Sequence, residues 1–253
     1  MQAVISYNQA IKIAQKFANE IGEYHKNNII AVYAIGSLGS DYYRPGQSDI
    51  DTLIITKYSR SERNEASKKI RAIADKYQDN YNVPKGFGAI VFAEEQLYPP
   101  YIKNEELILE ILRLKTQAKL IYGEYDINKI PMPDKQAIIN DAINFQEWVD
   151  SEKKNKEVDD YVREFDQTSF VNSILIVLRR YLIIEHGIIK FNKFKTVDIY
   201  LENNPPLIND EVFEYLNLSL HENAGEISNE KTYRMIKWRE ELYKAINDLV
   251  LYC

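Results

Sequence analysis

Gly36-Ser37-Leu38-Gly39-Ser40-Asp41-Tyr42-Tyr43-Arg44-Pro45-Gly46-Gln47-Ser48-Asp49-Ile50-Asp51 is the stretch whose reading decides the fold. It lies between two apolar runs of strand length, Ile29 to Ile35 before it and Ile50 to Thr56 after it. Gly36 and Ser37 turn the chain out of the first run, and Arg44-Pro45-Gly46 marks a loop. Asp49 and Asp51 head the second run two residues apart, a spacing that on a strand sends both side chains to one face. Asp51 stands between Ile50 and Thr52-Leu53-Ile54-Ile55, where a carboxylate is costly unless a metal or a hydrogen-bond donor meets it.

Each element of this pattern is weak alone. An Asp-x-Asp usually marks only a strand end near solvent, and a Gly-Ser dipeptide is usually only a turn. Together, as strand, Gly-Ser turn, loop, Asp-x-Asp and strand, they suit a divalent ion carrying a nucleoside triphosphate. Mg²⁺ takes oxygen ligands and is commonly held by one or two carboxylates plus phosphate oxygens. Glycine lets a backbone approach phosphates closely, and backbone N–H groups with a Ser hydroxyl can hold them. The stretch is not a Walker loop, because no Gly-Lys-Ser/Thr follows, and its glycine spacing is not that of a dinucleotide-binding turn.

Working outward, Asn8 to Glu23 is predicted as an amphipathic helix, with Ala10, Ile13, Ala14, Phe17, Ala18 and Ile21 on one face. A helix to about Tyr77 is expected to start at Ser61 as N-cap, and Gly88 to Ala93 reads as a third strand. Asn104 to Leu120 carries helical periodicity and runs into Ile121-Tyr122-Gly123, with the glycine as a C-terminal cap. Ile130-Pro131-Met132-Pro133-Asp134 reads as a linker. Beyond it Lys135 to Glu164 (a helix or helix pair), Thr168 to His186, Phe194 to Leu201, Asp210 to Leu220 and Ser228 to Tyr252 all read as helical. The expected fold is α+β: a mixed sheet with flanking helices over residues 1–130, then a helical bundle over residues 131–253.

Composition sets outer limits. The chain has 253 residues, 45% hydrophobic and 28% charged, enough for one large or two small cores. Its net charge of −6 argues against nucleic acid as a partner and is compatible with a cationic small substrate. The single cysteine, Cys253, gives no internal disulfide and suits a reducing, cytoplasmic setting. No membrane partner is expected: the most apolar segment, Phe170 to Leu178, falls short of the ~20 residues of a spanning helix.

Gly36-Ser37 followed by Ser48-Asp49-Ile50-Asp51 resembles the signature of the nucleotidyltransferase superfamily related to DNA polymerase beta. The whole chain resembles the bacterial nucleotidyltransferases that adenylylate aminoglycosides or lincosamides. Lys115 to Gly123 looks like the segment that closes their catalytic domain, and Thr168 onward looks like their helical C-terminal domain. The resemblance implies Asp49 and Asp51 as catalytic residues and Mg²⁺ ligands. Gly36, Ser37 and Ser48 would bind the triphosphate of ATP, the co-substrate. Arg44 and Lys115, with Lys119, would help pyrophosphate depart. AMP would pass to a hydroxyl of a small acceptor, an aminoglycoside-type antibiotic being the leading class, in keeping with resistance. A homodimer is compatible, because related enzymes often complete the site across two subunits.

One departure stands out. Members of this family commonly carry a third carboxylate on the next strand, where this chain has Gly88. Glu94 and Glu95 lie at the far end of that strand, and Glu147, Asp150, Glu164 and Asp166 are further candidates for the base, with Asp159 and Asp160 as added acidity for a polycation. A second motif, Arg180 followed by His186, resembles that of HEPN ribonucleases. Six residues on a helix place two side chains ~120° apart, which disfavours a joint site. Rival functions are a protein AMPylator of toxin–antitoxin type, and a degenerate nucleotide-binding protein with a HEPN-like helical domain.

Overall fold

The computed structural model describes residues 4–40, 42–83, 85–101, 108–154, 167–190, 192–203, 205, 207–221 and 228–251. The chain divides into two compact units, Met1–Pro133 and Asp134–Cys253.

In the first unit, α1 (Tyr7–His25) leads into β1 (Ile29–Ile35), a single helical turn α2 (Gly36–Gly39), β2 (Ile50–Thr56), α3 (Arg60–Tyr81), β3 (Phe87–Ala93), α4 (Ile108–Gln117) and β4 (Lys119–Gly123). The sheet has four strands in the order β3-β2-β1-β4. β1 pairs antiparallel with β2 and β4, and β2 pairs parallel with β3. This is a mixed sheet with flanking helices, as the α+β reading expects.

Strand alternation gives the sheet two faces. Val32, Ala34, Ile50, Ile54, Phe87, Ala89 and Val91 join Ala14, Phe17, Ala18 and Ile21 of α1 and Ile70, Ile73 and Ala74 of α3 in one continuous core. Phe17 is its pivot, fully buried with its ring 4.8 Å from Phe87 and 5.6 Å from Tyr77. Thr52 and Thr56 are also fully buried, and their hydroxyls donate to the carbonyls of Gly88 and Phe92, both at 2.9 Å, so polar groups brace β2 to β3. The alternate set on β2, starting with Asp51 and continuing through Leu53 and Ile55, lies on the other face.

The sequence expectations differ from this structure at two places in the first unit. Helical periodicity runs through Leu120 in the sequence, but the helix stops at Gln117 and Lys119–Gly123 is a strand. The free edge of β1 accounts for this: Tyr122 pairs with Val32 and Lys119 with Ala34, and those inter-strand bonds outweigh the local preference. Gly123 ends a strand rather than a helix, with φ at 72°. The third helix is capped by Ser59 instead of Ser61. Glu62 turns back to accept from the Ser59 N–H at 3.0 Å and hydroxyl at 2.7 Å, which holds its carboxyl below the usual range.

The second unit contains α5 (Lys135–Lys154), α6 (Gln167–His186), α7 (Thr196–Glu202), α8 (Asp210–His221) and α9 (Asn229–Leu251). Helix α6 touches each of the other four. Ile174, Leu175, Val177, Leu178 and Leu182 fill the core along it. Rings of Tyr181, Tyr200, Phe213 and Trp238 form a chain across α6, α7, α8 and α9, with successive centroids 5.3, 5.9 and 5.5 Å apart. Among the described residues no helix is long and apolar enough to cross a membrane.

Candidate nucleotide-binding site

β1 ends at Ile35, and the chain leaves it through Gly36 at φ 62°, left-handed backbone that glycine adopts without a steric cost. Ser40 donates its hydroxyl to the Gly36 carbonyl and so closes the short turn of α2. Ser37 is only 6% exposed, and its Oγ has no hydrogen-bond partner among the described residues. An unmet buried hydroxyl costs ~1–3 kcal/mol.

The following loop is held by its own backbone. Gln47 and Ser48 donate their N–H groups to the Arg44 carbonyl at 3.1 and 2.9 Å, and Ser48 Oγ accepts from the Arg44 N–H at 2.9 Å. Ser48 is 1% exposed, so its hydroxyl clasps the loop that delivers Asp49. Arg44 is half-buried. Asp49, the residue just before β2, is half-buried too. Tyr43 lies near it: burial, and then the Asp49 charge, push the Tyr43 phenol above its usual range. The Tyr43 hydroxyl donates to the Ile5 carbonyl at 3.3 Å, and its ring meets Tyr7 edge-on at 5.9 Å. Nothing in the Tyr42-Tyr43 dipeptide singled out this neighbour of Asp49 in the sequence.

Asp51 is the second residue of β2, opposite Ile35 on β1 and Gly88 on β3. Its carboxylate lies between two glycines. A Cβ on Gly36 would stand 3.2 Å from Oδ2, and a Cβ on Gly88 would overlap Oδ1. Gly88 is therefore beside Asp51 in the register, and the space where its side chain would project holds the Asp51 carboxylate itself.

The other candidates are dispersed. Glu94 and Glu95 follow the last residue of β3 and, at ~3.3 Å per residue, stand roughly 20 Å along the strand from Gly88. Glu95 accepts from the Arg60 N–H at 2.9 Å at the start of α3. Lys115 donates its ammonium to the carbonyls of Ile127 and Ile130, a structural clasp on the segment that leaves the unit. Lys119 is exposed and sits over the Tyr7 ring at 5.6 Å. The side chains of Glu147 and Asp150, and residues Asp159, Asp160, Glu164 and Asp166 altogether, lie outside the described residues.

In the second unit, Arg180 is buried and grips Asp141 through two nitrogens, at 2.7 and 3.2 Å, whereas His186 is exposed with its ring against Tyr181. One side chain holds α6 to α5 and the other faces solvent, so the Arg180–His186 motif forms no joint site.

Among the described residues no group of three or more His, Cys, Asp or Glu side chains could hold a metal ion. Two carboxylates with a triphosphate to supply further oxygens are the donor set that Mg²⁺ accepts in nucleotide sites. Asp49, Asp51 and the unmet Ser37 hydroxyl fit such a ligand.

A strand, a glycine-led turn and an acidic second strand in a mixed sheet are the arrangement that the sequence resemblance implies. The profile of the nucleotidyltransferase domain matches residues 14–182, and the chain belongs to that family. It is a nucleotidyltransferase. Among solved structures, the spectinomycin adenyltransferase AAD(9) from Enterococcus faecialis, with ATP and spectinomycin, is similar over 93% of this chain and 98% of that one, at 19% identity and a TM-score of 0.59. That likeness is one of fold. A mutant of the toxin–antitoxin pair MntA-HpeT matches 59% of this chain at 10% identity, with a TM-score of 0.28 that carries no argument. No curated protein matches.

Proposed function

We propose that this protein transfers AMP from ATP, with Mg²⁺, to a hydroxyl of a small molecule, and that aminoglycoside-type antibiotics are the acceptor class. The observation that carries the reading is the buried, unmet Ser37 hydroxyl on a turn whose first residue, Gly36, lies against the Asp51 carboxylate. Bound Mg²⁺ would offset phosphate charge and polarise the α-phosphoryl group. Asp49 and Asp51 would hold the metal–nucleotide, while Ser37 and the N–H groups of its turn would orient the phosphate chain. Ser48 supports this from behind by fixing the loop before Asp49. In the transfer, the acceptor oxygen bonds to the α-phosphorus, the bond to pyrophosphate breaks, and the acceptor proton leaves to a base.

The acceptor class rests on the resemblance of the sequence, with the shared fold of AAD(9) placing spectinomycin in the panel to be tried. A net charge of −6 favours a cationic acceptor over a polyanion.

The test is labelled ATP with Mg²⁺ and a panel of aminoglycosides and spectinomycin. Wild type should label an acceptor. Asp49→Asn and Asp51→Asn should each lower the rate at least ~100-fold, because charge stabilisation in a nucleotide-transfer site is worth several kcal/mol. Equal labelling by wild type and both variants would overturn the assignment of the carboxylates. Label on a polypeptide in place of the small molecules would redirect the reading to protein AMPylation.

A further inference from the structure

Gly88 has a use beyond the absence of an acid. The Asp51 carboxylate occupies a slot walled by two bare Cα atoms, with Oδ2 toward Gly36 and Oδ1 toward Gly88. The two glycines come from different elements: Gly36 opens the turn α2 just after β1, and Gly88 is the Asp51 partner on β3. On one side, β3 pairs with β2 from Ile50 to Thr56 and the Thr52 hydroxyl bonds the Gly88 carbonyl at 2.9 Å, so the Gly88 wall does not move away without breaking sheet bonds. On the other side, Gly36 directly follows Ile35, the β1 partner of Asp51. The nearest atom to an added Cβ at 88 is a carboxylate oxygen, the far end of a short side chain, whereas the nearest Asp51 backbone atom is 3.8 Å away. An added methyl would therefore turn the carboxylate and leave the sheet in place.

We propose that Gly88 is a positioning residue for the metal–nucleotide: its bare Cα seats the Asp51 carboxylate in the rotamer that receives the cation, so β2 and β3 offer no room for a third carboxylate at this level. The inference rests on the reading of Asp49 and Asp51 as the metal pair. It adds that acceptor activation is supplied from outside β3, since an acid at 88 would compete with Asp51 for one space.

The experiment is Mn²⁺–ATP binding by calorimetry and by electron paramagnetic resonance, with melting temperature measured alongside. Wild type should bind. Gly88→Ala should lower affinity at least tenfold with little change in melting temperature. Gly88→Asp should do the same or worse, because two carboxylates crowd one slot. The exchange variant Asp51→Gly/Gly88→Asp should recover part of the binding that Asp51→Gly loses, as a merely structural role would not. Wild-type affinity in both Gly88→Ala and Gly88→Asp would overturn the positioning role while leaving the carboxylate pair intact. Binding by wild type that is unaffected by Asp49→Asn and Asp51→Asn would remove the metal pair itself, and this inference with it. Unfolding of Gly88→Ala, with no recovery in the exchange variant, would show that Gly88 serves the sheet alone.

Discussion

Ser37 and Asp51 carry the proposed site at the residue scale: Ser37 keeps a buried hydroxyl with no hydrogen-bond partner among the described residues, and the Asp51 carboxylate lies against Gly36 and Gly88. Removing the Ser37 hydroxyl should separate stability from binding. Ser37→Ala deletes an unmet buried group, so the free protein should melt no lower than wild type and gain ~1 kcal/mol. Its affinity for ATP should fall about tenfold, the worth of one hydrogen bond to a charged oxygen. A lower melting temperature together with unchanged ATP affinity would mean that the hydroxyl serves the fold. His25 offers a second residue-scale expectation. It closes α1, with its Nδ1 2.9 Å from the Tyr58 hydroxyl, and burial followed by the Lys69 charge lowers it from 6.5. A folded-state value below the unfolded one means that the unfolded chain binds the proton first. Its contribution is thus fully present above about pH 6.5 and is lost as pH falls toward the folded value. Denaturant unfolding at pH 7.5 and 5.5 should show this loss, and His25→Gln should reduce the difference between the two; an unchanged difference would assign the pH response to other groups.

At the scale of elements, β4 shows most clearly what periodicity misses. Ile111, Leu114 and Ile121 recur at helical spacing, yet the helix stops at Gln117 because the segment after it pairs with β1. Gly123 is the residue that lets β4 close on β1. Its φ is 72°, and a Cβ there would overlap the Ile30 carbonyl oxygen, a backbone atom that cannot turn aside. Gly123→Ala should destabilise the protein by at least ~1–2 kcal/mol from the left-handed backbone alone, read from urea unfolding. Stability equal to wild type would mean that β4 detaches freely and adds little to the unit. Gly88 stands in contrast: the added Cβ there meets a side-chain oxygen. The two substitutions should therefore differ in kind, one affecting the fold and the other the site.

On the scale of the whole molecule, each unit has its own stabilising device. The first relies on the apolar layer around Phe17, and the second adds a buried ion pair, Arg180 with Asp141, whose side chains are 5% and 12% exposed. Arg239 makes a related tie, donating to Ser173 Oγ at 2.8 Å and linking α9 to α6. Asp141→Asn should destabilise the second unit by about 3–5 kcal/mol, because it leaves a guanidinium buried without its counter-charge. Thermal unfolding followed by tryptophan fluorescence, with both tryptophans (Trp148 and Trp238) in this unit, would report it, and a shift of less than about 1 kcal/mol would mean that another group takes over the pairing.

The sequence by itself determined the strand–turn–strand motif, the family, the α+β class and the helices of the second unit. The elements rest on local signals, apolar period and turn residues, and the family on the resemblance carried by Gly36-Ser37 and Ser48-Asp49-Ile50-Asp51. Tertiary structure alone decided the β4 strand, the Tyr43 neighbour of Asp49, the clasp roles of Ser48 and Lys115, and the slot between Gly36 and Gly88. Each of these depends on which segments lie side by side, and register between strands distant in sequence leaves no local trace. Gly88 shows the difference most plainly: in the sequence it is a missing acid, and in the sheet it is the space that Asp51 fills.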